Sequence, residues 1–447
     1  QWTMMSYVGR INYGLMDRYL LTASLRYDGS SRLSEGNKWA LFPSAAIAWR
    51  ITEEDFAKNL DWLSNLKLRF SYGQAGNTNS VSPYASEGTI SGSVYYPFGT
   101  STSVGNLPAN IANPMLTWER TSEYNVGLDF GFLNQRISGN IEYYNRTTND
   151  LLMKRNIPVH LGYSSVTSNV GSVRNSGFEL QLNTANIMTK NFAWNTTINL
   201  AYNKNEIVSL ADEEDLSNYS IHLQGMRGRY SDKRFIGKPV DTNWTQNTIG
   251  VWQLGEEEEA AKYGCVPGNF KIKDYNNDGK LTDDDYIIDG KRTPDWTGGM
   301  TNMFKIYDFD FSFHMYFQAG ATQYDRFFEN FALEWNSQNF NNLRTNYWTP
   351  ENPSNTMGRP SQMGSRGNIA YERTDFLKVS YITLGYTLNK RLMSKWGLDN
   401  ARIYVTVQNP FILTKFRGLD PEQPDLTNIG DTDGMTMNAL LGVNISF

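Results

Sequence analysis

The chain has 447 residues, with 41 Lys and Arg against 46 Asp and Glu, and this slightly acidic balance gives no electrostatic basis for binding nucleic acid. Aromatic residues make up 14% of the chain, yet mean hydropathy is −0.52, and no apolar run reaches the roughly 18 residues that a membrane-crossing helix needs. One cysteine, Cys265, excludes an intramolecular disulfide framework.

These exclusions leave strands that cross a bilayer open. Such a strand needs only about 9–11 residues, and only every second one faces lipid. The periodicity along the chain is two, not 3.6. It predicts strands near 2–13, 18–29, 39–51, 66–76, 116–132, 136–152, 175–187, 191–207, 296–306, 308–320, 371–388, 400–412 and 436–447. In the second, Tyr19, Leu21, Ala23, Leu25 and Tyr27 alternate with Thr22, Ser24, Arg26 and Asp28. In the twelfth, Ile403, Val405 and Val407 alternate with Arg402, Tyr404, Thr406 and Gln408. The last shows it best. Met437, Ala439, Leu441, Val443, Ile445 and Phe447 share one face, opposite Asn438, Gly442, Asn444 and Ser446, with Leu440 the single exception.

Alternation fits a soluble sandwich as well as a membrane barrel, and the connections decide between them. Links after odd-numbered strands are mostly short, as at 14–17, 133–135 and 188–190. Links after even-numbered strands are mostly long, at 77–115, 153–174, 208–295, 321–370 and 413–435. Short turns at one end and long loops at the other are the asymmetry of an outer-membrane barrel, with periplasmic turns and extracellular loops. Aromatics such as Trp39, Trp49, Tyr72, Tyr143, Trp194 and Phe447, in or beside the strands, suit interface girdles. Bacterial single-chain barrels have an even number of strands, and an unclosed one leaves backbone groups unpaired in lipid. Thirteen strands, the first beginning almost at once and with no signal peptide before it, therefore set the expectation that an odd number of strands precedes Gln1 and that 1–447 does not close a barrel alone.

A set of short motifs then carries a family resemblance. In order they include Tyr7-Val8-Gly9-Arg10, Asp17-Arg18-Tyr19, Arg26-Tyr27-Asp28-Gly29-Ser30-Ser31-Arg32, Phe42-Pro43-Ser44, Arg69-Phe70-Ser71-Tyr72-Gly73 and Leu116-Thr117-Trp118-Glu119-Arg120. Further along are Asn169-Val170-Gly171, Asn175-Ser176-Gly177-Phe178-Glu179, Tyr347-Trp348-Thr349-Pro350, Gln408-Asn409-Pro410 and Leu419-Asp420-Pro421-Glu422. Together the chain resembles the SusC/RagA family of TonB-dependent outer-membrane transporters. A departure lies before the last strand, where Asp431-Thr432-Asp433-Gly434 stands instead of a Tyr-Pro pair. The resemblance implies an all-β transmembrane antiparallel barrel of twenty-two strands, of which 1–447 supplies about thirteen C-terminal ones. The plug domain and TonB box would lie outside the sequence. It also implies a SusD-like surface lipoprotein, energisation through TonB, residence in the bacterial outer membrane and import of glycans or peptides. No catalytic residue is implied.

Among candidate sites, the sharpest motif runs through 274–285. Asp274, Asn276, Asp278, the Lys280 carbonyl and Asp285 follow the spacing of a loop whose oxygens converge on one hard cation, Ca2+ being the natural occupant, with Gly279 allowing the turn. A metal-free turn explains the same residues. The acidic run at 256–259 reads as a solvated surface or a contact for a basic partner. Tyr230, Phe235, Trp244 and Trp252, all in the long 208–295 loop, are candidates for stacking on substrate or packing on a lid protein, with loop self-packing the plainer reading. The terminal aromatic Phe447 resembles the signal read by the barrel-assembly machinery, and its face would meet outer-membrane lipid. Two other functions compete: a secreted β-rich glycan-binding or hydrolytic protein, which would need two flanking carboxylates, and a siderophore- or cobalamin-type receptor on the same barrel. The loop asymmetry speaks against the first and the motif set against the second.

Overall fold

In the computed structural model the described residues are all of 1–447 except 158, 159, 161, 164, 211–216, 219–226, 230–233, 334–343, 361–364, 390–392, 394–396 and 424–434. One 13-stranded antiparallel sheet dominates, and its strands neighbour one another in chain order. They are β1 (Met4–Leu15), β2 (Tyr19–Ser30), β3 (Trp39–Arg50), β4 (Leu63–Asn77), β5 (Glu119–Phe132), β6 (Ile137–Asn149), β7 (Ser172–Met188), β8 (Phe192–Ser209), β9 (Trp296–Ile306), β10 (Phe309–Ala319), β11 (Phe376–Thr387), β12 (Asn400–Thr414) and β13 (Asn438–Ser446). β1 and β13 stand at the two ends of this order. Connections after odd-numbered strands are short, the longest being 51–62 and 388–399, and those after even-numbered strands are long, up to the stretch 210–295, apart from 31–38. No described helix is long and apolar enough to cross a membrane. The chain divides into two compact units: Gln1–Phe178 with Lys204–Ser217 and Phe235–Val240, and Glu179–Asn203 with Asn218–Arg234 and Asp241–Phe447.

In the first unit, register keeps the apolar residues on one face from strand to strand. Tyr13 pairs with Leu21 and Leu21 with Ile47; Ile47 meets Phe70, Phe70 meets Val126, and Val126 meets Tyr143. A slip of one residue would turn each of these to the other face. Turn chemistry fixes the register. Met16 and Asp17 both take positive φ, 54° and 55°, as the central residues of a turn closed by Arg18 N–H donating to the Leu15 carbonyl at 3.0 Å, within the three residues between the paired Leu15 and Tyr19. Above the strands, Leu33, Ala40, Phe42, Val81, Leu116, Trp118 and Leu152 form one buried cluster that gathers three connections. Trp118 Nε1 donates to the Lys38 carbonyl at 3.0 Å, Ser34 Oγ to that of Leu116 at 2.8 Å, and Asn169 Nδ2 to that of Thr117 at 2.9 Å. This cluster is why β5 begins at Glu119 and not at 116: the apolar residues before it are drawn into the loop core.

In the second unit, Phe304, Phe311, Leu384, Val405 and Leu441 likewise follow one another across β9 to β13 on a single face. The stretch expected as one strand over 371–388 is two. Tyr371–Arg373 pairs with Thr322–Tyr324 outside the sheet, and only Phe376–Thr387 enters it. Two connections share a core here. Val251, Phe270 and Ile272, from the link between β8 and β9, pack with Phe328, Leu333, Trp348 and Ala370, from the link between β10 and β11. Polar staples lock the same pair. Thr248 N–H donates to Asn368 Oδ1 at 3.0 Å, Val251 N–H to Asn355 Oδ1 at 2.9 Å, and Trp348 Nε1 to Gln253 Oε1 at 3.0 Å.

Candidate functional site

The two faces of the sheet differ in chemistry. In the first unit Ile11 is 71% exposed, with Leu25, Ile47, Phe70, Val126 and Ile141 exposed on the same face; in the second Leu441 is 75% exposed, with Leu384 and Val405. A continuous apolar surface of this kind marks contact with an apolar medium or partner, and on alternating strands it is the lipid band of a barrel.

The opposite face is polar. In the first unit Thr22, Ser44, Ala46, Ser71, Gly73, Ala75, Thr121 and Thr148 line an open space of about 700 Å³, with Glu123 and Arg146 paired at 2.7 Å on its wall. Beside it lies a charge cluster that the sequence reading did not single out. Lys67 pairs with Asp129 at 3.2 Å, Arg69 with Asp129 at 2.8 Å and Arg69 with Glu142 at 2.6 Å, while Asn125 donates to Glu142 at 3.1 Å. The available signal was position. Lys67 and Arg69 fall on the polar alternation of β4, and pairing sets Lys67 opposite Asp129, and Arg69 opposite Gly127, which itself faces Glu142. Hydroxyls, amides and paired charges on one wall offer hydrogen-bond partners to a polar solute.

The 274–285 loop is a set of carboxylate-held turns. Asp274 Oδ1 accepts from Asn277 N–H at 2.6 Å, and its Oδ2 from Gly279 N–H at 2.9 Å and the Tyr263 hydroxyl at 3.1 Å. Burial pushes the Asp274 carboxyl up, but these donors outweigh it and hold the group below the usual carboxylate range. Asp285, wholly buried, accepts from Tyr275 N–H and Thr282 N–H, both at 2.8 Å. Asp278 stays at the exposed rim, bonded to Lys280 N–H at 2.8 Å, while Asn276 Oδ1 accepts from Asp278 N–H at 3.1 Å. Asp274 and Asp285 are thus linked through the loop backbone. Among the described residues no three His, Cys, Asp or Glu side chains gather closely enough to hold a metal ion.

The loop aromatics sit in cores, which corrects the surface role considered for them. Phe235 is fully buried, Trp244 is buried against Tyr286, and Trp252 is buried with Ala260 and Cys265 while the Lys271 ammonium lies 4.1 Å from its ring centroid. Their large apolar area is worth more inside a long loop than in water. Tyr230 and the 431–434 segment lie outside the described residues. The acidic run leads into the short helix Glu257–Lys262, and Glu256 is tied to Lys271 at 2.8 Å. Phe447 is 88% exposed beyond the end of β13.

Comparison with known proteins agrees with this geometry. The family model described as "TonB dependent receptor-like, beta-barrel" matches residues 5–297. The chain is 35% identical to "TonB-dependent receptor SusC" of Bacteroides thetaiotaomicron over 100% of its own length and 44% of that protein's. It is 33% identical to "TonB-dependent receptor P26" of Formosa agariphila, over 99% of the chain and 46% of the relative. A solved structure of the RagAB peptide importer in an open-open state is similar at a TM-score of 0.79 and 25% identity, covering 100% of this chain and 47% of that one. The chain spans under half the length of each of these relatives. The chain belongs to the TonB-dependent receptor β-barrel family, in its SusC/RagA group.

Proposed function

We propose that this chain is the larger barrel portion of an outer-membrane importer for glycans or peptides, working with a SusD-like surface lipoprotein and energised through TonB. One observation carries the reading. Strand register gives the sheet an exposed apolar face and, in the first unit, a polar, hydrogen-bonding face, and the chain is similar over its whole length to SusC and to a peptide importer. The test is purification of the full-length protein from detergent-extracted outer membranes, followed by uptake of labelled oligosaccharides and oligopeptides by cells with and without its gene. Co-purification of a surface lipoprotein and loss of uptake of one of these classes on deletion support the reading. A protein recovered without detergent, or uptake unchanged for both, overturns it.

Within the same reading we propose that a hard cation of the Ca2+ class adds to the 274–285 loop. The donor set is oxygen throughout, and the bond from Gly279 N–H to Asp274 already closes the turn that a cation would need. Asn276, Asp278 and the Lys280 carbonyl would have to draw in toward Asp274 and Asp285 to complete its shell. Calorimetry with Ca2+ and protease sensitivity of the loop with and without chelator decide it. No heat and no change with chelator leave a turn alone.

A further inference from the structure

A groove of about 950 Å³ opens at the ends of β10, β11 and β12 that lead into the long connections 320–375 and 415–437. Its floor is apolar. Phe317 pairs with Leu377 and Leu377 with Leu413, three side chains in register on the face that carries Phe311, Leu384 and Val405 lower down. The register shifts once on each strand pair, near Ser380 and Asn409, and the three stay on that face above the shift. Leu413 is 60% exposed and Leu377 37%, so among the described residues none covers these two side chains.

The rim is basic. Arg373 and Lys415 line the same groove. Arg373 is paired with Asp375 at 2.6 Å, and its side chain remains 68% exposed. Lys415 is exposed and has no ion-pair partner among the described residues. Among the described residues Asp375 is the one acid lining the groove, and it also accepts from Gly320 N–H at 2.7 Å. The rim therefore carries two cations against one carboxylate that is already shared.

We infer that this groove binds a phosphorylated, acylated lipid of the outer leaflet, its chains on Phe317, Leu377 and Leu413 and its phosphate between Lys415 and Arg373. The inference rests on the outer-membrane reading above, which places the long-loop end of the strands at the outer surface. Position and charge select the occupant. An apolar floor at membrane level takes acyl chains, and cations directly above it attract an anionic headgroup. A soluble phosphate would leave the floor wet, and a neutral lipid would leave Lys415 unanswered.

The experiment is native mass spectrometry of the detergent-purified full-length protein, titrated with phosphorylated lipid A and, separately, with dephosphorylated lipid A. Retention of the phosphorylated form should weaken about fivefold for each charge removed in Lys415→Gln and Arg373→Gln, and Asp375→Asn should strengthen it. Leu413→Ser should weaken both lipids alike. Equal retention of the two lipids by the parent, or retention unchanged in the Lys415→Gln, Arg373→Gln double variant, overturns the inference. Neither lipid bound by a protein that still fractionates with the outer membrane and still supports uptake overturns it too, and leaves the transporter reading standing. Recovery outside the membrane fraction overturns both.

Discussion

At the scale of single residues, the motifs that identify the family prove to be fasteners. Phe42 and Trp118 meet edge to face at 5.4 Å over Gly76, where a Cβ would come within 2.7 Å of the Trp118 ring. Asp420 turns its own segment by accepting from Glu422 N–H at 2.9 Å, and Glu422 pairs with Lys378. Asp325 is a fastener under tension. It is wholly buried, its Oδ1 accepts from Phe328 N–H at 2.9 Å, and its Oδ2 has no hydrogen-bond partner among the described residues. Burial pushes its carboxyl above the usual range, against the opposing pull of the Phe328 N–H and Arg417. Arg417 itself is bonded to Glu372 and lies 4.1 Å from the centre of the Phe328 ring. The sign follows from linkage. As pH rises past the ordinary carboxylate value of about 3.9, the unfolded loop ionises before the folded one, so this residue's contribution falls with pH until the folded carboxyl ionises too. Asp325→Asn keeps the cap and removes the charge, and should flatten the rise in loop proteolysis above about pH 4. Asp325→Ala should cost about 1 kcal/mol through loss of the cap. An Asn variant as pH-dependent as the parent sinks the argument.

At the scale of elements, alternation states that every other residue meets lipid, and adjacent residues of β2 put this to a measurement. Ala23 is exposed on the apolar face, and Thr22 lines the polar space. Ala23→Arg should destabilise the inserted protein by about 2–4 kcal/mol, as a charge near the bilayer midplane does. Thr22→Arg should leave assembly within about 0.5 kcal/mol, as substitutions away from packed sites do. Heat-modified migration and urea unfolding from liposomes compare the two, and equal effects would refute the assignment of faces. The strands were legible because period two, hairpin turns and loop asymmetry are local signals. The start of β5 and the split at 371–388 were not, because burial of Leu116 and Trp118, and pairing of Tyr371–Arg373 with Thr322–Tyr324, are decided by distant residues. The candidate site was least legible for the same reason. Trp244 and Trp252 read from sequence as aromatics in a long polar loop, and only tertiary packing shows their faces covered. The cluster of Lys67, Arg69, Asp129 and Glu142 needs the register of three strands before its charges meet.

At the scale of the whole molecule, the outer edges of β1 and β13 make no ladder among the described residues, and unpaired backbone in lipid costs several kcal/mol for each group. On the outer-membrane reading proposed above, assembly would bring these edges to partners, and Phe447, on the face of Val443 and Ile445, would be read at that step. Deleting Phe447 from the full-length protein should lower its outer-membrane level at unchanged synthesis, measured by fractionation and immunoblot; equal levels would show that the ring is not read. The core shared by the β8–β9 and β10–β11 connections bears on how such proteins diversify. A graft that exchanged 210–295 alone would strand Phe328, Trp348 and Ala370 against foreign side chains, and would put at risk the bonds that Asn355 and Asn368 accept from Val251 and Thr248 N–H. The two connections are therefore one packing unit, and a graft that moves both together should keep this core where a graft of one alone should not.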